Sequence, residues 1–447
     1  LSRDSGNTVI GLPIDRINWG NYDLVVIDES HNFRNGNGTN SKGGEKENRY
    51  MRLMNRVIKP GVKTKVLMLS ATPVNNRFYD LRNQLALAYE GDPSEFNEKL
   101  NIKSDIDTIF RQAQKVYNAW CKLPEKERTT ATLLSQLDFD FFEVLDSVTI
   151  ARSRKHIQTY YDVADIGNFP KRNKPISLRP KLTTRPNAIN YKEVYELLSK
   201  LHLTIYTPTA FIQPSKLQKY LSEDETEKFR SGRELGIQRL MSINLLKRME
   251  SSVHSFLLTV KRIYDYLYDT SHAIDDFIST GANNLNEMPD LSDEADEFDY
   301  DDQNTDFFNV GKKVKIDLRD MDYISWKREM DEDIDNLQLL ILMIEDITPE
   351  YDFKLNELIR IIREKAAAPI NPGNKKILIF TAFSDTAEYL YENISGMALK
   401  ELGLHTALVT GSVDGKTTIP KFKPDMNHVL ACFSPKSKDR DVLYPKD

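Results

Sequence analysis

Only two cysteines occur in 447 residues, Cys121 and Cys432, and they stand far apart. That excludes a disulfide framework and a cysteine-rich zinc site, and it suits a reducing, cytoplasmic setting. No apolar run approaches the length that spans a bilayer, and LQLLILMI at 337–344 is among the longest. A membrane partner is therefore not expected. The chain starts at Leu1 rather than Met and carries no signal peptide, so it reads as a fragment or a processed piece. H-E-x-x-H and G-x-S-x-G are both missing, which removes a zinc protease and a nucleophile-elbow hydrolase.

A surplus of positive charge is also missing. The net charge is −6, which at first argues against nucleic acid. Residues 287–306, however, hold ten acids and no base, and the rest of the chain carries +4. Whole-chain charge therefore decides little. The acidic stretch has little apolar residue to bury and reads as a disordered loop.

What is present begins with YDLVVIDESHNFRN, residues 22–35. A short apolar run, LVVI, reads as a strand buried on both faces, and it drives straight into Asp28, Glu29, Ser30 and His31. A loop rich in Gly and Asn follows. Tyr50, Leu53, Met54, Val57 and Ile58 then form a helical stripe. KVLMLSAT is a second buried strand and NRFYDLRNQLALAY a second helix. This βαβα order predicts a parallel sheet and an α/β class over residues 1–91.

Residues 92–181 read as mostly helical and end in an extended basic stretch from ARSRKHIQTYY to Lys171 and Arg172. Residues 182–350 read as all helical. Leu246, Met249, Val253, Phe256, Val260, Ile263 and Leu267 form a sustained 3-4 seam, and Met330, Ile334, Leu337, Ile341 and Ile344 repeat its spacing. The pattern fits an antiparallel hairpin with the acidic stretch at its tip, and it fits an ordinary helical bundle equally well. Residues 351–447 return to α/β: KKILIFTAF reads as a buried strand, SDTAEYLYENI as a capped helix and HTALVTGS as another strand.

Carboxylates at the carboxyl end of a parallel strand lie where open α/β sheets place their ligands. An Asp there can hold magnesium, and a neighbouring Glu can orient a water for attack on a phosphoryl group. Alone, such a strand end is more often just solvated. Ser70, Ala71 and Thr72 at the end of the second strand sharpen the reading, because small hydroxyl residues there can bond the first motif.

VVIDESHNFRN followed by VLMLSATPVNN resembles motifs II and III of superfamily 2 helicases, in particular the Swi/Snf-type ATPases of prokaryotes. KKILIFTAFSDTAEYL resembles the motif IV strand and helix of that family, and ALVTGS the strand that follows. TIARSRKHI resembles the basic segment between the lobes. The likeness is sharp only in residues 22–35 and 66–77, and it departs at Ser30, where Ala is commoner. It implies two incomplete RecA-like parallel-sheet lobes, 1–91 and 351–447, with the helical insertion between them and a cleft that binds ATP. It implies that Asp28 holds magnesium, that Glu29 is the catalytic carboxylate, and that His31 couples the nucleotide site to Ser70 and Thr72. It implies nucleic-acid contacts, with duplex DNA as the partner, at Arg152, Arg154, Lys155, Thr410 and Ser412, with Lys171 and Arg172 as further candidates. The expected activity is ATP-dependent translocation.

A phosphate loop, G-x-x-x-x-G-K-[ST], is absent from these residues. GSVDGKTT at 411–418 is one residue short, and its β-branched residues and Pro420 suit no helix start. No later arginine motif occurs either. The resemblance implies that both lie outside residues 1–447, and that this stretch alone is inactive. Two other readings stand beside it. One is a binding or scaffold module whose helical hairpin grips a protein partner. The other is a metal-dependent nuclease, which lacks a further carboxylate cluster.

Overall fold

The structure is a computed structural model, and it describes residues 8–9, 12–13, 16–34, 49–71, 77–94, 100, 102, 104–124, 126–161, 169, 173–220, 227–281, 317–411 and 415–443. The chain divides into two compact units, Leu1–Pro175 and Ile176–Asp447. The division falls within residues 92–181, beyond Arg172.

The first unit opens with two short antiparallel strands, β1 (Thr8–Val9) and β2 (Leu12–Pro13). β3 (Leu24–Ile27) and β4 (Lys65–Met68) then pair in parallel, from Leu24 opposite Lys65 to Ile27 opposite Met68. The connection between them contains α1 (Arg49–Leu53), which widens into a π turn over Met54–Ile58 and stops before Pro60. All five residues of the expected stripe, Tyr50, Leu53, Met54, Val57 and Ile58, are buried, and they pack with Ile27 and Phe33. The parallel pairing expected of this region is present.

Burial on both faces is not. Val25, Ile27, Val66 and Met68 face the core, whereas Leu24 and Val26 are 51% and 54% exposed, with Leu67 and Leu69 close behind. The expectation of doubly buried strands is thus corrected. Among the described residues helix packs on one face only, so the strands alternate as one-sided strands do.

α2 (Phe78–Ala88) follows β4. Its Leu81 and Leu85 meet Ile109, Phe110 and Ala113 of α3 (Ile106–Cys121), which Asp105 caps by accepting from the Thr108 N–H. α4 (Thr130–Leu134) and α5 (Phe139–Val148) complete this layer, with Phe141 and Val144 inward. The basic stretch is helical rather than extended over α6 (Arg154–Tyr160), because Ser153 caps it by accepting from the His156 N–H at 3.1 Å.

The second unit is helical at its centre. α7 (Tyr191–Leu198) begins at an Asn190–Glu193 capping box. The long seam is two helices, α8 (Glu227–Ser251) and α9 (Val253–Thr280). Ser252 breaks it, capping α9 through the Ser255 N–H at 3.0 Å. α9 ends at Gly281, whose φ of 70° suits glycine. α10 (Tyr323–Glu345) runs antiparallel to α9: Lys261 pairs with Glu345, Ser271 with Asp331 at 2.6 Å, and Lys327 with Asp275 at 3.3 Å. Between them lie Phe256, Val260, Ile263 and Leu267 against Met330, Leu337 and Ile344.

α11 (Phe353–Ala367) and α12 (Ser384–Leu402) pack through Leu355, Ile362, Tyr389 and Ile394. β5 (Ala407–Leu408) and β6 (Lys416–Thr417) pair antiparallel, followed by α13 (Met426–Phe433) and α14 (Arg440–Leu443). KKILIFTAF forms no strand, and Leu378 and Phe380 stand 60% and 86% exposed. That corrects the expected buried strand. An apolar run becomes a strand only where a neighbour takes its backbone hydrogen bonds, and none does so among the described residues. A second parallel sheet is likewise not found there. The acidic stretch 287–306 lies outside the described residues.

Candidate functional site

The carboxyl ends of β3 and β4 lie side by side because the parallel register extends one step beyond the strands. The Leu69 N–H donates to the Ile27 carbonyl at 2.8 Å, and the Ser30 N–H donates to the Leu69 carbonyl at 3.0 Å. Between those bonds the chain turns sharply. Glu29 adopts φ 48° and ψ 50°, the left-handed region, and its N–H donates to Asp28 Oδ1 at 2.9 Å. A glutamate held there costs about 1–2 kcal/mol, and such strain gathers at functional sites because the surrounding bonds over-determine it. The turn leaves Asp28 and Glu29 both exposed beyond the strand end.

Ser30–Phe33 then make one 3-10 turn. His31 is mostly buried, and its Nδ1 lies 3.2 Å from Glu29 Oε2 and 3.3 Å from Ser70 Oγ. A proton on Nδ1 donates to the Glu29 carboxylate, and Ser70, just past β4, sits at the same nitrogen. One ring nitrogen therefore joins residues after both strands, and a movement of either strand end changes its bonding.

The turn is anchored from below by residues that periodicity alone did not single out. Ser30 is buried and donates to Gln84 Oε1 at 2.9 Å. Gln84 in turn donates to the Asp80 carbonyl at 3.1 Å. Arg34 is buried, and its carbonyl accepts from Asn83 Nδ2 at 2.7 Å. α2 thus holds the loop at both ends. The available signal was a glutamine between Leu81 and Leu85 on the inward stripe of α2.

Asp28, Glu29 and His31 after β3 and Ser70 after β4 lie together at two adjacent strand ends. Thr72 lies outside the described residues, as do Ser412, Lys171 and Arg172. Arg152, Arg154 and Lys155 are exposed at the start of α6 in the same unit. Thr410 is half-buried after β5 in the other unit. In GSVDGKTT, Lys416 and Thr417 form a strand rather than opening a helix, and Lys416 Nζ lies 3.1 Å from Glu388. A Cβ on Gly415 would fall 2.0 Å from the Pro424 carbonyl oxygen, so its backbone packs against protein.

Asp28 fits magnesium as a single hard-oxygen ligand, since only its Oδ1 is engaged among the described residues. No group of three or more His, Cys, Asp or Glu there could hold a metal alone. No helix among the described residues is long and apolar enough to cross a membrane. No protein-family model, curated protein or solved structure matches the chain.

Proposed function

We propose that this chain serves an ATP-dependent nucleic-acid translocase of helicase superfamily 2, acting on duplex DNA, with the end of β3 as its ATP-turnover site. One observation carries the proposal: His31 Nδ1 is within hydrogen-bonding distance of both Glu29, the carboxylate after β3, and Ser70, the hydroxyl after β4. That is the contact a site needs if it is to pass its chemical state from one strand end to the next.

In this reading Asp28 would hold a hydrated magnesium ion, which would neutralise charge on the phosphates. Glu29 holds and polarises the attacking water. Its carboxylate is 58% exposed, so solvent and substrate reach it. His31 reports the state of Glu29 to Ser70. Residues 1–447 contain no phosphate loop, so the β- and γ-phosphates need a further binding element for turnover. The test is ATP hydrolysis by the full-length protein with and without duplex DNA. DNA-stimulated phosphate release is expected, and its absence in both conditions would overturn the proposal.

A further inference from the structure

The start of α6 gathers three cations, Arg152, Arg154 and Lys155, within four residues, all exposed. None makes an ion pair among the described residues. Cations elsewhere in the chain pair readily, as Arg82 does with Asp107 at 2.7 Å and Arg363 with Glu401 at 2.8 Å. Three like charges close together repel one another, and the repulsion is relieved when an anion binds.

Beside them stand aromatic rings that are partly open to solvent. Tyr160 is 74% exposed and Tyr161 48%. The His156 ring lies against Tyr160 with centroids 4.7 Å apart. Arg152 Nε donates to the Tyr161 hydroxyl at 3.2 Å, which fixes that ring beside the cations. Arg154 sits over the Phe169 ring at 5.6 Å. Cations that receive phosphates next to a solvent-exposed ring such as Tyr160 are the two halves of a single-strand binding surface. Blunt duplex satisfies only the first half, because its base faces are stacked inside the helix.

We infer that α6 is a platform for unpaired nucleotides, with Arg152, Arg154 and Lys155 on the phosphates and Tyr160 stacked on a base. The inference rests on the nucleic-acid reading above, and it makes DNA with an unpaired segment beside the duplex the preferred substrate.

Fluorescence anisotropy tests it with three labelled probes: an oligo-dT strand, a blunt duplex, and that duplex with an oligo-dT overhang. The full chain should prefer the overhang probe to the blunt duplex. Tyr160→Ala should weaken single-strand and overhang binding about tenfold, the scale of one base–ring stack, and remove the preference over blunt duplex. Tyr160→Phe should restore it, since the ring and not the hydroxyl stacks. Arg154→Gln with Lys155→Gln should weaken all three probes and flatten the salt dependence. If wild type binds blunt duplex and Tyr160→Ala leaves the preference unchanged, the platform is wrong and the wider reading stands. If wild type binds none of the probes, both are wrong.

Discussion

His31 Nδ1 lies 3.3 Å from Ser70 Oγ, so the residues that follow two parallel strands share one ring nitrogen. Replacing His31 with Ala removes that link and the 3.2 Å contact to Glu29 together. Binding of magnesium-ATP should change little, because His31 offers the phosphates nothing. Stimulation of ATP hydrolysis by DNA should fall at least severalfold, since a coupling of this kind is worth about 1–3 kcal/mol. Comparing rates with and without DNA checks it. Full stimulation in the variant would remove His31 from the coupling role.

Ser30→Ala should destabilise the first unit by about 1–3 kcal/mol. The loss is of a buried side-chain hydrogen bond, from the Ser30 hydroxyl to Gln84 Oε1 at 2.9 Å. Chemical denaturation followed by tryptophan fluorescence measures it, because Trp19 packs at the edge of the same core. Ala is the commoner residue in the family that the sequence resembles, so a neutral substitution would mean that the Gln84 bond contributes little.

Glu29→Gly should raise the melting temperature and abolish turnover. Glycine adopts φ 48° without steric cost, against about 1–2 kcal/mol for glutamate, and only part of that gain is lost to glycine's greater freedom when unfolded. The His31–Glu29 contact adds little to set against it, because Glu29 is 58% exposed. Differential scanning calorimetry decides; a lower melting temperature would show that the turn is unstrained.

Much of the first unit was legible in sequence. β3 and β4 follow from their short apolar runs and the buried stripe over residues 50–58 from a period of 3.6, and their parallel order follows from the intervening helix. What was not legible depended on partners. LVVI reads the same whether one face or both are covered, and KKILIFTAF reads as a strand whether or not a neighbour accepts its bonds. The seam through Leu246 to Leu267 hid the break at Ser252, because apolar spacing continues across a cap. α6 carried a cap signal in Ser153 that its basic content masked. At the site, Asp28, Glu29, His31 and Ser70 were readable as two adjacent strand ends. Gln84 was not, since nothing in a sequence says which hydroxyl an inward glutamine will meet.

The second unit makes its own prediction. Asp333 is fully buried and accepts the His202 and Leu203 N–H groups at 2.7 and 2.6 Å. Burial pushes its carboxyl up to about 6 despite those two bonds. An unfolded Asp titrates near about 3.9, so the folded state holds its proton more tightly. The stability this contributes is full below about pH 4 and is lost as pH rises through about 6, an effect on the order of 1–3 kcal/mol. The stability difference between wild type and Asp333→Asn should therefore shrink from about pH 4 to about pH 7. Urea melts at both pH values check the sign, and a difference that grows with pH would show that the N–H bonds outweigh burial.

The central claim is that Glu29 orients the water that attacks ATP. Phosphate release by the full-length protein, wild type against Glu29→Gln, with saturating duplex DNA and magnesium-ATP, tests it most directly. Gln fills the same space but cannot polarise water as a carboxylate does. The account predicts retained ATP binding with kcat reduced by orders of magnitude. Near-normal turnover in Glu29→Gln would contradict it.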